Sequence, residues 1–426
     1  MALLRIVGGI PLEGEVMISG AKNSASVLLP ACLLTSETCI LDNVPEITDV
    51  DTLLGILTQL GARIEKQDDE VLVNSASIYE PVVPYDLARK LRASSLFLGP
   101  LLARFKEAKV AMPGGCDIGS RSLDLHIKGL RALGAEISVE HGYLVGKASK
   151  LQGCEIYLDF PSVGATENLM MAASLAEGTT VIQNAAKEPE IVDLANFLTA
   201  IGARVRGAGT DVLRIEGAEK LGGVRHTVIP DRIEAGTYLL AGLITGGRVT
   251  VCNVIPKHLE AVVAKLEETG AMFEVGEEEI TCWCTGRLRS VQVKTMPYPG
   301  FPTDLQPQLT ALLMLCEGTG IVNERVFEDR FGHIDELRRL GGDIKTDGQT
   351  AVVNGVTALL GAPVKAADLR MGAALILAAL AAQGESLVDG VNHIDRGYGH
   401  LERKLAGIGA NIKRIDASVR KFTLTG

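Results

Sequence analysis

Aromatic side chains are scarce in this 426-residue chain, at 4% with a single tryptophan. Its interiors must therefore be aliphatic. Long apolar runs are missing too: the longest, Ala373 to Ala382, is half of the ~20 residues a membrane-spanning helix needs. Arg5 and two glycines interrupt the apolar start MALLRIVGG, so no signal-peptide core is expected, and a cytoplasmic location is. There is no lysine or arginine block. With 42 basic against 52 acidic residues the net charge is -10, which argues against a nucleic-acid or anionic-membrane surface. Any anionic ligand must be met by a local cluster of cations. The eight cysteines are scattered, with only Cys282 and Cys284 close together, so neither a disulfide framework nor a four-thiolate zinc site is indicated. The seven histidines form no metal-ligand pattern, and no glycine-rich segment has Walker or Rossmann spacing.

What is present is a repeat. The phrases LGARIEK, LGAEISV, IGARVRG, TGAMFEV, LGGDIKT and IGANIKR place a glycine at 61, 134, 202, 270, 341 and 409, at intervals of 68 to 73 residues. Each phrase follows an amphipathic helix; Val50, Leu53, Leu54, Leu57 and Leu60 show the spacing. The glycine ends the helix and a strand begins. Upstream of each amphipathic helix lie a short strand and, before that, a helix apolar on nearly every side, which belongs in a core. The pattern predicts six helix-strand-helix-strand-strand units. Because 426 residues exceed one core, three units per domain is the economical grouping. An N-terminal hairpin, about residues 4 to 19, is expected to complete the sixth unit. That puts one domain at 22–229 and the other at 1–21 with 230–426.

The buried helices open on polar groups: Lys22, Arg92, Thr166 with Glu167, Asp231, Asp304 and Arg370. For Asp231, Thr166 and Asp304 ordinary capping competes with a ligand role. Lys22, Arg92 and Arg370 favour a ligand, since a cation at the positive end of a helix is disfavoured unless an anion sits there. Arg121, Arg330 and Arg396 precede the repeat glycine by 13, 11 and 13 residues, which places three arginines at one level of the architecture. Such a set suits a phosphate and a carboxylate. The segment Met112 to Arg121, with three glycines and a proline around Cys116, reads as a lid loop; its thiol is either a nucleophile tuned by the nearby arginine or an inert loop residue. Two Pro/Gly turns, at 160 to 166 and 298 to 304, serve either as strand terminators or as presenters of backbone N–H groups.

The motifs GAKNSA (20–25), PGGCDIGSR (113–121), DFPSVGATENLMMAA (159–173), PDRIEAGTYL (230–239), YPGFPTDLQPQ (298–308), ERVFEDRF (324–331), ADLR (367–370) and IDRGY (394–398) resemble the UDP-N-acetylglucosamine 1-carboxyvinyltransferase family of enolpyruvyl transferases, along essentially the whole chain. The resemblance implies an α/β fold of two inside-out barrel domains, three repeats each, closing over a cleft. It implies transfer of the enolpyruvyl group of phosphoenolpyruvate to the 3′-hydroxyl of UDP-N-acetylglucosamine, with phosphate released and no metal or organic cofactor needed.

By position, Lys22, Arg121 and Arg396 match phosphate-binding cations, and Arg330 and Arg370 match those facing the carboxylate. Asn23 matches a stabiliser of the tetrahedral intermediate, Asp304 the general base, and Cys116 the lid thiol that acts as general acid and is the fosfomycin target. Arg92, Arg121, Ser122, Leu123, Asp124, Leu125, Ser162, Val163, Gly164, Asp304, Val326 and Phe327 match contacts to the nucleotide sugar. A monomer is expected. The chain departs from the family pattern at Asp117, Ser122, Gly332 to Asp335 and Met371-Gly372. Two other readings stay open: a shikimate 3-phosphate enolpyruvyl transferase, and a catalytically retired UDP-sugar-binding paralogue with a regulatory role.

Overall fold

The computed structural model describes residues 2–112 and 123–416. Cys116, Arg121 and Ser122, and the lid loop that contains them, lie outside the described residues. The described chain falls into two compact units, one formed by the segments up to Ile18 and from Asp231, the other running from Ser19 to Pro230. Each has its own aliphatic core, drawn from residues 25–228 in one unit and from 4–18 with 233–412 in the other.

Each unit is built from three copies of one motif, as the sequence period implies. The core helices are Lys22–Ala31, Leu98–Phe105 and Val163–Ala173 in one unit, and Arg232–Ile244, Gln306–Leu313 and Leu369–Ala381 in the other. They are buried nearly all round; in Leu369–Ala381 every residue but the last is. Four-stranded sheets cover them. Helix Leu98–Phe105, for example, packs under strands Glu107–Ala111 and Tyr143–Lys147, and Leu369–Ala381 under Ala2–Val7 and Glu385–Asp389. Burial alternates along the inner strands, as in Thr38–Asp42 and Glu385–Asp389, because each sheet turns one face to the helices and one to solvent. All six repeat glycines have φ between 95° and 115°, where a side chain would be strained, so each can turn the chain directly from helix into strand.

The structure adds a strand to the repeat. Each sheet has at one edge a short strand parallel to the next, for example Val82–Val83 beside Glu107–Ala111, and in four of the six sheets the core helix is thereby the crossover of a β-α-β unit. The expected N-terminal hairpin is not one. Ala2–Val7 sits between Glu385–Asp389 and Asn411–Asp416 and completes the sixth sheet, whereas Glu13–Met17 joins a different sheet, parallel to Arg248–Cys252. Correspondingly Val224–Thr227, which precedes helix Arg232–Ile244 in sequence, pairs with Thr38–Asp42. The first and fourth repeats have thus exchanged their short strands, and each exchanged strand stays with the unit whose strand precedes it in the chain. The Asn43 amide donating to Val228 O and that of Asn253 donating to Ile18 O, both at 2.8 to 2.9 Å, fasten the two exchanged strands in equivalent ways.

Two core helices also start later than their apolar pattern. Arg92–Phe97 and Thr303–Leu305 are 3-10 turns ahead of Leu98–Phe105 and Gln306–Leu313. Proline in the first turn of each, Pro100 and Pro307, lacks an N–H and restricts the residue before it, so regular α-helix begins there.

Candidate active site

In the unit that contains residues 231–416, the 3-10 turn before Gln306–Leu313 presents Asp304. Its Oδ1 accepts from Arg330 Nη2 at 2.7 Å, and its Oδ2 accepts from Arg370 Nη2 at 2.7 Å and Nε at 3.1 Å. The arginine side chains are 6% and 7% exposed and Asp304 is 25% exposed, so the anion is held between two buried cations with one edge open. Asp304 caps no helix here; the arginines take both of its oxygens. Burial alone would raise its pKa. The charges of Arg370 and Arg330, with their hydrogen bonds, outweigh burial and hold the carboxyl well below the usual range.

Each arginine is anchored from behind. Arg370 lies in the first turn of Leu369–Ala381, whose N-terminus Asp368 caps by accepting from the Arg370 and Met371 N–H groups at 2.8 and 3.0 Å. Its Nη1 donates to Tyr398 Oη at 3.3 Å, and Tyr398 lies 2.9 Å from Thr237 Oγ1. Because Thr237 spends its own hydrogen on Ile233 O, Tyr398 is the donor of that bond and is free to accept from Arg370. Arg330 donates to Thr303 Oγ1 at 2.8 Å, and its guanidinium stands 5.0 Å from the Phe327 ring centre.

Behind Thr303 lies a group the sequence reading did not single out. Glu324 is fully buried and accepts from Thr295, Thr303 and the backbone N–H groups of Val326 and Phe327, at 2.8 to 3.1 Å. It fixes the 326–327 backbone and, through Thr303, the arginine. ERVFEDRF contains Glu324, but only its partners reveal the role. Arg396 is half-buried in the turn after the short helix Val391–Ile394, two residues before Tyr398. Asp231 caps Arg232–Ile244 by accepting from Ile233 and Glu234 N–H, as capping predicts.

In the unit of residues 19–230, Lys22 opens its helix and pairs with Asp49, 2.7 Å away in the first turn of Thr48–Leu60; the side chains are 15% and 4% exposed. The Asn23 amide donates to Glu190 Oε1 at 3.2 Å. Glu167 stands nearby in charge terms: burial first, and then the charges of Glu190 and Glu188, push its carboxyl well up. Lys22 and Asn23 are thus held by carboxylates much as Arg330 and Arg370 are.

Ser162, not Thr166, caps Val163–Ala173, its Oγ accepting from Ala165 N at 3.3 Å. Thr166 lies one turn further in and donates to Ser162 O. Arg92 opens the 3-10 turn Arg92–Phe97; Asp124 begins helix Asp124–Ala132, with Leu123 buried before it and Leu125 against the core. Cys282 and Cys316 are core thiols that burial pushes up to about 12, which makes them inert.

In one unit a carboxylate is thus clamped by two arginines, and in the other a lysine and an asparagine rest on carboxylates of their own. The family profile for EPSP synthase (3-phosphoshikimate 1-carboxyvinyltransferase) matches residues 6–405. UDP-N-acetylglucosamine 1-carboxyvinyltransferase 1 of Carboxydothermus hydrogenoformans is 53% identical over 411 residues, covering 96% of this chain and 98% of the relative. The protein of the same name from Symbiobacterium thermophilum is 54% identical, covering 96% and 94%. The chain belongs to the UDP-N-acetylglucosamine 1-carboxyvinyltransferase family. Among solved structures, the enolpyruvyl transferase NikO from Streptomyces tendae superposes with TM-score 0.88 at 28% identity, covering 97% of this chain and 98% of NikO. EPSP synthase from Acinetobacter baumannii superposes with TM-score 0.77 at 19% identity, over 98% and 100%, and shares the fold. Family membership accounts for the six-repeat architecture.

Proposed function

We infer that this chain transfers the enolpyruvyl group of phosphoenolpyruvate to the 3′-hydroxyl of UDP-N-acetylglucosamine, the reaction that commits the sugar to peptidoglycan precursor synthesis. What carries the inference is identity above one half, over nearly the whole of both chains, with proteins named for that activity. In the addition step the sugar oxygen bonds to C2 of phosphoenolpyruvate while C3 takes a proton. In the elimination step C3 loses a proton as the C2–O bond to phosphate breaks. The reaction needs a base for the hydroxyl, an acid for C3, and cations for the carboxylate and the departing phosphate.

We assign the base to Asp304, the acid to Cys116 and the carboxylate to Arg330 and Arg370. Lys22, Arg121 and Arg396 take the phosphate, and Asn23 the intermediate. Arg92, residues 121–125, Ser162 to Gly164, Asp304, Val326 and Phe327 take the nucleotide sugar. The clamp gives Asp304 a condition for acting. While Arg330 and Arg370 hold both its oxygens, it is too weak a base to take a hydroxyl proton. A substrate carboxylate that recruits those arginines releases it, and its remaining burial then raises its proton affinity. The base is therefore armed by phosphoenolpyruvate.

Phosphate release from phosphoenolpyruvate, measured with UDP-N-acetylglucosamine and separately with shikimate 3-phosphate, tests the reading. Release with the nucleotide sugar alone supports it. Release only with shikimate 3-phosphate, or with neither acceptor, would transfer the chain to one of the two other readings.

A further inference from the structure

We propose that Gln308 is a positioning residue for phosphoenolpyruvate: it locks the Tyr398 hydroxyl as the fixed point that keeps Arg370 in place while this arginine exchanges Asp304 for the substrate carboxylate. The part given to Arg370 rests on the function inferred above. Gln308 lies in the first turn of Gln306–Leu313, is fully buried, and reaches two hydroxyls on other elements. Its Nε2 donates to Thr237 Oγ1, on helix Arg232–Ile244, at 3.2 Å and to Tyr398 Oη at 3.3 Å. Those two oxygens are 2.9 Å apart, so the amide nitrogen and the hydroxyls close a triangle.

The hydrogens of this triangle have one arrangement. Thr237 donates to Ile233 O, which leaves the phenol hydrogen for the edge between the hydroxyls and the two Nε2 hydrogens for the other edges. With the amide rotated, three oxygens would face one another with a single hydrogen among them. Tyr398 Oη therefore turns its hydrogen away from the guanidinium and accepts from both Gln308 and Arg370 Nη1, the latter at 3.3 Å. Asp304 takes Nε and Nη2 of the same arginine. When a substrate carboxylate draws that edge away from Asp304, the bond from Nη1 to Tyr398 is the side-chain hydrogen bond left to Arg370 among the described residues.

Packing alone does not account for an amide here. Gln308 Oε1 is buried and has no hydrogen-bond partner among the described residues. An unpaired buried oxygen is unfavourable, and a methionine of similar length and volume would avoid it. What glutamine supplies and methionine lacks is the nitrogen that holds Tyr398.

Steady-state kinetics of Gln308→Met, Tyr398→Phe and the double variant test this, with calorimetry of phosphoenolpyruvate binding to the same proteins. Gln308→Met should raise KM and Kd for phosphoenolpyruvate about three- to tenfold, the size of one neutral hydrogen bond, and leave kcat and KM for the nucleotide sugar within about twofold. Its melting temperature should fall by no more than about 3 °C, because an unpaired oxygen is lost along with the two bonds. Tyr398→Phe should raise the same constants at least as far. Adding Gln308→Met to it should change them by less than about twofold, since the glutamine acts through the phenol. A wild-type KM for phosphoenolpyruvate in folded Gln308→Met, a rise shared equally by both substrates, or effects that multiply in the double variant would each overturn the proposal. A wild type that binds phosphoenolpyruvate without transferring it, while Gln308→Met binds it more weakly, would sink the reaction and leave the positioning role standing; a wild type that does not bind it would overturn both.

Discussion

Replacing Asp304 by asparagine should cut turnover by orders of magnitude while tightening the grip on phosphoenolpyruvate. Asp304 receives three N–H donors from Arg330 and Arg370, at 2.7, 2.7 and 3.1 Å. Hydrogen bonds to charged groups are worth about 1.5–3 kcal/mol each, so an entering carboxylate must displace several kcal/mol of internal pairing before forming its own. Asparagine has no charge and a single acceptor oxygen. Even if only one bond's worth of competition is lost, about 1.4 kcal/mol, affinity rises roughly tenfold. Loss of the base should lower kcat by about 10²–10⁴-fold. The free variant is left with two buried guanidiniums lacking a counter-ion, which costs about 3–5 kcal/mol of stability. Binding of phosphoenolpyruvate should restore part of that and raise its melting temperature more than it raises the wild type's. Calorimetry with phosphoenolpyruvate, in the presence of UDP-N-acetylglucosamine, and thermal denaturation read these quantities. Binding of phosphoenolpyruvate that weakens in a folded Asp304→Asn protein would refute competition between the two carboxylates.

Glu324→Ala strips four donors of their buried acceptor and should cost about 3 kcal/mol or more, with KM for the nucleotide sugar raised through the 326–327 backbone; a denaturant midpoint within error of wild type would contradict that role. Burial pushes His126 down to about 4 and His333 to about 3, so between pH 6.5 and those values the unfolded chain binds protons that the folded one refuses. Each therefore removes up to about 1.4 kcal/mol of stability per pH unit as pH falls, and His333→Gln should flatten the acid limb by that slope; an unchanged limb argues against a neutral buried ring. Glu167, pushed up, acts in the opposite sense, losing stability as pH rises above its unfolded value, which is why the comparison must be between variant and wild type. Cys116→Ala should stop turnover and prevent covalent labelling by fosfomycin while leaving UDP-sugar binding nearly intact; a mass shift mapped to another cysteine would remove Cys116 from its assigned role.

The repeat was legible because one backbone requirement recurs: a glycine with positive φ after each amphipathic helix, at Gly61 through Gly409. The aliphatic cores followed from the nearly all-apolar helices; Arg370 is legible as a cation at a helix start that needs an anion and Arg330 from its spacing to the repeat glycine, but that Asp304 supplies the anion is not. Strand exchange was not legible. Whether Glu13–Met17 pairs with its sequence neighbour or with Arg248–Cys252 is decided by packing, and a strand as short as Val82–Val83 has no period to detect. Glu324 escaped for a related reason. Its meaning lies in partners such as Thr295, 29 residues away, not in local spacing. Thr166 and Asp304 were ordinary cap types, yet Ser162 took one cap and the arginines took the other carboxylate.

The central claim is the reaction itself, and proton and phosphorus NMR of one mixture tests it most directly. With phosphoenolpyruvate and UDP-N-acetylglucosamine, equal amounts of inorganic phosphate and of a UDP-sugar bearing a vinyl ether at the 3′-oxygen should appear together. Phosphate without the vinyl ether, or a sugar left unaltered while shikimate 3-phosphate is consumed, would contradict it.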